Sequence, residues 1–166
     1  MKEIINKVEK AGLIILDPAT LIPRGQRKKI DLIDWLENGF VIRETVFKKR
    51  LKETNWSEFE NTFVTIMCSK DVIIAPWMYL LIQTKLCNIA KQVFFGEIET
   101  MDILLFKQAL EKLDLTKYKN KRVFLKVCGD EKIPLEFLSL CVQTLFPVVK
   151  SLFYGEPCSS IPLIKN

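Results

Sequence analysis

Gln92-Val93-Phe94-Phe95-Gly96-Glu97 and Ser151-Leu152-Phe153-Tyr154-Gly155-Glu156 lie 59 positions apart and finish alike, on two aromatic residues, a glycine and a glutamate. Upstream of each run the likeness continues. Gln83-Thr84 stands against Gln143-Thr144, and an apolar run reaching Cys68 stands against one reaching Cys128. Asn55-Trp56-Ser57-Glu58-Phe59-Glu60-Asn61 stands against Asp114-Leu115-Thr116-Lys117-Tyr118-Lys119-Asn120, and Val46-Phe47-Lys48 against Leu105-Phe106-Lys107. The offset is 59 at both ends and 60 in the middle, so two one-residue slips reconcile the copies. Self-similarity of this length is a signal about the whole fold and outranks any local pattern. It predicts an internally duplicated α/β domain spanning 1–166: an N-terminal addition over 1–44, one repeat over about 45–97, a second over about 104–156, and an extended tail over 157–166.

Within each copy the apolar spacing names the elements. Val46, Phe47, Arg50, Leu51 and Thr54 recur at helical intervals, which predicts a helix over about 44–53; Leu105, Phe106, Ala109, Leu110 and Leu113 do the same in the second copy. A polar turn then leads to a strand, Phe63–Met67 or Val123–Val127, ending beside Cys68 or Cys128. Apolar helices follow near Pro76–Ile89 and Leu135–Phe146, and proline at or before a first turn suits both starts. The strands Gln92–Phe95 and Ser151–Tyr154 close the copies. A helix-strand-helix-strand order is best met by a mainly parallel sheet with helical crossovers. In the N-terminal addition, Glu3–Glu9 reads as a short helix, Leu13–Leu16 as a strand stopped by Asp17-Pro18, and Lys28–Trp35 as a half-buried strand. Asn38-Gly39 fits either a hairpin turn or a helix end. The prolines of the tail exclude a helix there.

Composition narrows the chemistry. The 166 residues suffice for one domain with a real core, and 49% hydrophobic content argues against disorder. No apolar run is long enough to span a bilayer, and the N-terminus lacks an export pattern. Five widely spaced cysteines in such a chain point to a reducing cytoplasm and not to a disulfide framework. The net charge of +5 gathers at Arg24–Lys29 and Lys117–Arg122 without interleaved exposed aromatics, which argues against nucleic-acid binding. There is no histidine, so Ser-His-Asp and Cys-His nucleophiles and histidine-based zinc sites are excluded.

If the repeated strands run parallel, Cys68 and Cys128 end at one sheet edge, the edge at which open α/β sheets bind ligands. Asp71 and Asp130 follow them in the next loops, and Glu97, Glu156 and Cys158 lie just beyond the closing strands. Thiolates and carboxylates converging there would suit zinc or iron, because sulfur and oxygen donors complete four-coordination without histidine. The metal candidates are therefore Cys68, Cys128, Cys158, Asp71, Asp130 and Glu156. The plainer reading of each strand-end cysteine is a small core hydrophobe. No CxxC pair strengthens the metal reading. Cys87 and Cys141 lie inside apolar helices and read as core. The competing functional class is a protein-interaction module or homodimer without a cofactor, supported by a mean hydropathy of +0.14.

Over nearly its whole length the chain resembles an uncharacterised bacterial family, domain-of-unknown-function family 2480, found in Bacteroidetes. The residues that carry the resemblance are Ile5-Asn6-Lys7-Val8, Ile30-Asp31-Leu32, Asn55-Trp56-Ser57, Cys68-Ser69-Lys70-Asp71, Ala75-Pro76-Trp77-Met78-Tyr79 and Lys91–Gly96. Most specific is the ending Val149-Lys150-Ser151-Leu152-Phe153-Tyr154-Gly155-Glu156-Pro157-Cys158-Ser159. The family pattern Gly-Cys-Ser-Asp departs here to Val127-Cys128-Gly129-Asp130, which keeps the cysteine and the aspartate. The resemblance implies no established activity. An association of the family with iron–sulfur assembly genes would point toward thiol or metal work, which is association and not mechanism.

Overall fold

The computed structural model describes residues 12–37, 43–127 and 133–165. The expected Glu3–Glu9 helix and the Asn38-Gly39 turn lie outside them. In chain order the elements are β1 (Leu13–Leu16), β2 (Arg27–Asp31), α1 (Glu44–Glu53), β3 (Phe63–Met67), α2 (Pro76–Leu86), β4 (Gln92–Phe95), α3 (Ile98–Glu111), β5 (Arg122–Leu125), α4 (Leu135–Leu145), β6 (Ser151–Glu156) and β7 (Ser159–Lys165). This is the expected mixed α/β class with mostly parallel strands. The strands are divided between two sheets, ordered β1-β5-β6-β7 and β2-β3-β4.

The chain packs as two compact units. A central unit is one continuous piece, Arg24–Asp102; a split unit joins residues up to Pro23 with those from Ile103 on. The central sheet is all parallel, with Ile30, Ile66 and Phe95 side by side across it. A parallel sheet needs cover on its faces, and β3 is accordingly buried at all five positions. Its core joins Ile30, Leu32, Phe47, Leu51, Val64, Ile66, Met78, Ile82 and Leu86.

In the split unit β1 pairs parallel with β5, and β5 with β6, so Leu16 lies beside Leu125 and Leu125 beside Tyr154. The core collects Leu16, Phe106, Leu110, Val123, Leu125, Phe137, Cys141, Leu145 and Leu152, with the Phe106 and Phe137 rings stacked at 4.2 Å. The tail is more ordered than its prolines alone imply. Pro157-Cys158 makes a two-residue turn, and β7 returns antiparallel along β6 as the edge of the sheet. Pro162 is tolerated because an edge strand can do without one ladder donor.

The two units share a detailed pattern at a constant offset of 59. Each has a 3-10 turn, Trp56–Phe59 or Leu115–Tyr118, whose preceding Asn55 or Asp114 side chain accepts from the N–H two residues on. Each then has an asparagine at positive φ, Asn61 at 56° and Asn120 at 58°. Their N–H groups donate to Ile89 and Val148 carbonyls, again 59 apart. The helices α2 and α4 have equal length, and the glycines that end β4 and β6 hold φ of 110° and 105°. Because the elements before and after the intervening loops keep this offset, Cys68 corresponds by position to Val127, and Cys128 to Ser69. The middle slip in the sequence alignment follows residue likeness and not the backbone.

The first strand of each unit has a further feature in common, though not at that offset. Asp17, just after β1, and Asp31, the last residue of β2, each cap a 3-10 turn, accepting from Ala19 N–H and Ile33 N–H at 3.1 Å. The strand expected over Lys28–Trp35 therefore stops at Asp31, and Leu32–Trp35 is that turn. A side-chain oxygen that satisfies an otherwise orphan N–H is the reason aspartate is favoured at such starts.

Candidate functional site

In the central unit the carboxyl ends of the parallel strands bring together Asp31, Cys68, Ser69 and Tyr79. Asp31 Oδ1 accepts from Ser69 N–H at 3.0 Å as well as from Ile33 N–H, tying the loop after β3 to the turn after β2. Burial acts to raise the Asp31 pKa, but hydrogen bonds from Ser69 and Ile33 and the charge of Lys29 outweigh it, leaving the carboxyl below its ordinary range. Tyr79, on α2, is pushed the other way, first by burial and then by negative charge at Cys68 and Asp31. Cys68 is half-buried, packed against the core of its unit, which fits the small-hydrophobe role. Asp71 is exposed in the following loop.

Beside this cluster lies an apolar groove of about 290 Å³ lined by Pro76, Tyr79, Leu80 and Phe95. The Tyr79 and Phe95 rings meet edge to face at 5.9 Å and form one wall. Leu80 and Phe95 remain 53% and 42% exposed, and Ile73 in the preceding loop is fully exposed. Sequence reasoning passed over these residues because α2 is apolar on nearly every side and gives no periodic hint of which face is buried. Cys87 was misassigned for the same reason: it follows the last turn of α2 and is exposed, whereas Cys141 in α4 is buried with its thiol pushed up to about 12 by desolvation.

In the split unit Asp17 pairs with Lys126 Nζ at 2.9 Å, where the central unit uses Asp31 and a backbone N–H. Glu156, half-buried, ends β6 opposite Ser159, and Cys158 is exposed in the hairpin turn. Cys128 and Asp130 lie outside the described residues. Because β3 and β5 belong to different sheets, the ends of the repeated strands do not share one sheet edge. Among the described residues no three or more Cys, Asp or Glu side chains are grouped so as to hold a metal ion.

The basic cluster at Arg24–Lys29 is partly committed to structure. Arg27 pairs with Asp102 at 3.0 Å and lies over the Phe63 ring, and Lys28 donates to the Glu58 carbonyl. No helix among the described residues is long and apolar enough to cross a membrane.

A family model described as a protein of unknown function, DUF2480, matches residues 2–166. No curated protein and no solved structure matches the chain.

Proposed function

The chain belongs to the DUF2480 family of proteins of unknown function, and from that premise we propose that it is a protein-interaction module rather than an enzyme. One observation carries this reading: the Pro76–Tyr79–Leu80–Phe95 groove opens at the carboxyl ends of parallel strands with large apolar side chains facing solvent. Ligand sites of open α/β sheets favour that end, and contiguous exposed apolar surface marks contact with another molecule. A reducing cytoplasm suits the setting, since Cys68, Cys87, Cys141 and Cys158 are all free thiols. We read the constant offset of 59 as the trace of an internal duplication.

The test is site-specific crosslinking. A photoreactive phenylalanine analogue at Leu80 forms a discrete protein adduct in cells, and the same analogue at exposed Lys52 on α1 forms none. Equal or absent adducts at both positions overturn the reading.

A second reading assigns zinc, iron or an iron–sulfur-related ligand to Cys68, Cys128 and Cys158, assisted by Asp71, Asp130 or Glu156. Its support is Cys68, half-buried at a strand end beside Ser69, whose N–H donates to the Asp31 carboxylate. Stoichiometric metal in anaerobically purified protein, lost in a folded Cys68→Ser and Cys128→Ser double variant, establishes it. Metal-free folded protein overturns it.

A further inference from the structure

We propose that the central unit completes its sheet by taking an extended segment of a partner protein as a fourth, antiparallel strand along β4, with an aliphatic side chain of that segment seated in the Leu80–Phe95 groove. This deepens the interaction reading and rests on it.

The split unit shows the occupant's geometry. There the strand corresponding to β4 is β6, and β7 lies along it with Ile161 opposite Tyr154 and Ser160 opposite Gly155. Tyr154 occupies the position of Phe95, and Gly155 that of Gly96. In the central unit the chain departs from this course directly after Glu97, entering α3 where the split unit turns back as β7. Among the described strands, β4 lies at the edge of its sheet.

The two glycines record the difference. A methyl group on Gly155 would lie 2.5 Å from the Ser159 carbonyl oxygen, so the bare backbone is what lets β7 approach. Gly96 holds nearly the same φ, yet a methyl group there meets nothing closer than the Thr100 side chain at 3.8 Å. Beside Gly96, the space that Ser159 takes beside Gly155 is free of any described residue. Backbone groups are available to use it. Gly96 N–H donates to Ile66 on the β3 side, so Val93 and Phe95, in the alternate phase, turn their N–H and C=O groups to the open side. Strand addition draws affinity from such groups and specificity from side-chain pockets. The pocket is present where a residue opposite Phe95 would project.

The probe is a synthetic peptide of the β7 sequence, Ser-Ser-Ile-Pro-Leu-Ile-Lys, titrated into the intact protein while backbone amide NMR shifts are followed. Saturable shifts at Val93, Phe95, Gly96 and Leu80 are expected, and Leu80→Glu and Val93→Pro should each weaken binding by at least about tenfold. Leu80 is exposed, and Val93 lies in an edge strand with its N–H on the open side, where proline removes no bond to β3, so both variants should keep the wild-type amide spectrum elsewhere. Absence of saturable shifts up to about 1 mM peptide, or affinity unchanged by both variants, overturns the proposal. Shifts confined to the groove, with β4 amides unmoved, overturn strand addition while leaving the interaction reading intact. Self-association of the protein that Leu80→Glu abolishes would assign the site to a second copy and overturn the separate partner.

Discussion

Alanine at Gly155 and at Gly96 makes a matched pair of perturbations, because the two residues share a backbone conformation but not their surroundings. At φ of 105° and 110° an L side chain is strained in either place, at a cost of about 1–3 kcal/mol. Gly155→Ala adds a second penalty, since its methyl group would lie 2.5 Å from the backbone oxygen of Ser159. Backbone cannot swing aside as a flexible side chain can, so β7 must shift, and overpacking of this kind adds about 1–3 kcal/mol. The expected totals are therefore about 2–6 kcal/mol for Gly155→Ala and about 1–3 kcal/mol for Gly96→Ala. The two units need not unfold together, so a single melting curve is the wrong instrument. Native-state hydrogen exchange reads each unit by its own core amides, Leu145 and Leu152 for one, Ile66 and Ile82 for the other. Gly155→Ala should lower protection in the split unit and loosen the β7 amides first. Equal losses at the two sites, or the larger loss at Gly96, would refute the argument and with it the claim that the space beside Gly96 is free.

Asp31→Ala removes the acceptor for both Ile33 and Ser69 N–H groups and should cost about 0.5–2 kcal/mol near neutral pH. A carboxyl whose folded pKa is depressed stabilises above its unfolded value of about 3.9 and loses that contribution as pH falls through the lower folded value, so the wild-type advantage over this variant should shrink in denaturant titrations below about pH 4. With iodoacetamide at pH 8, mass mapping should find Cys87 and Cys158 alkylated quickly, Cys68 more slowly, and Cys141 only on unfolding, because the thiolate is the reactive form and burial holds Cys141 near 12. Labelling of native Cys141 as fast as Cys158 would contradict the packing of α4. Leu152→Ala, at a fully buried position, should cost about 2–5 kcal/mol, whereas Ile161→Ala, 63% exposed, should stay within about 0.5 kcal/mol by the same exchange measurement.

Local pattern carried much of the fold. The spacing of Phe47 and Leu51 placed α1 at its observed bounds, and the β-branched and aromatic run Phe63–Met67 placed β3. Proline at the N-terminal end of α2 and of α4 marked both starts. Partner choice was not legible, because strand pairing depends on residues far away: nothing within Leu13–Leu16 says that its neighbour is Arg122–Leu125. The division into two sheets followed from that hidden pairing, and with it the expectation of one shared strand-end edge lost its geometric basis. The repeated cysteines were a matter of residue likeness; the backbone pattern sets Cys68 against Val127. The groove was hidden for a different reason: a helix as uniformly apolar as Pro76–Leu86 presents no period from which an exposed Leu80 can be told from a buried Ile82.

The nesting of the central unit between β1 and β5 also sets a timetable for synthesis. All strands of the central sheet have been made once the chain reaches Phe95, but β1 ends at Leu16 and its neighbour β5 ends only at Leu125, 109 residues later. At about 5–20 residues per second, β1 waits on the order of 5–20 s on the ribosome before a partner exists. During that interval Leu13-Ile14-Ile15-Leu16 is an unpaired apolar strand in a nascent chain whose inner unit is ready to fold. The order of emergence makes the outer unit the later and more aggregation-exposed product, and makes β1 the segment a chaperone would have most reason to hold.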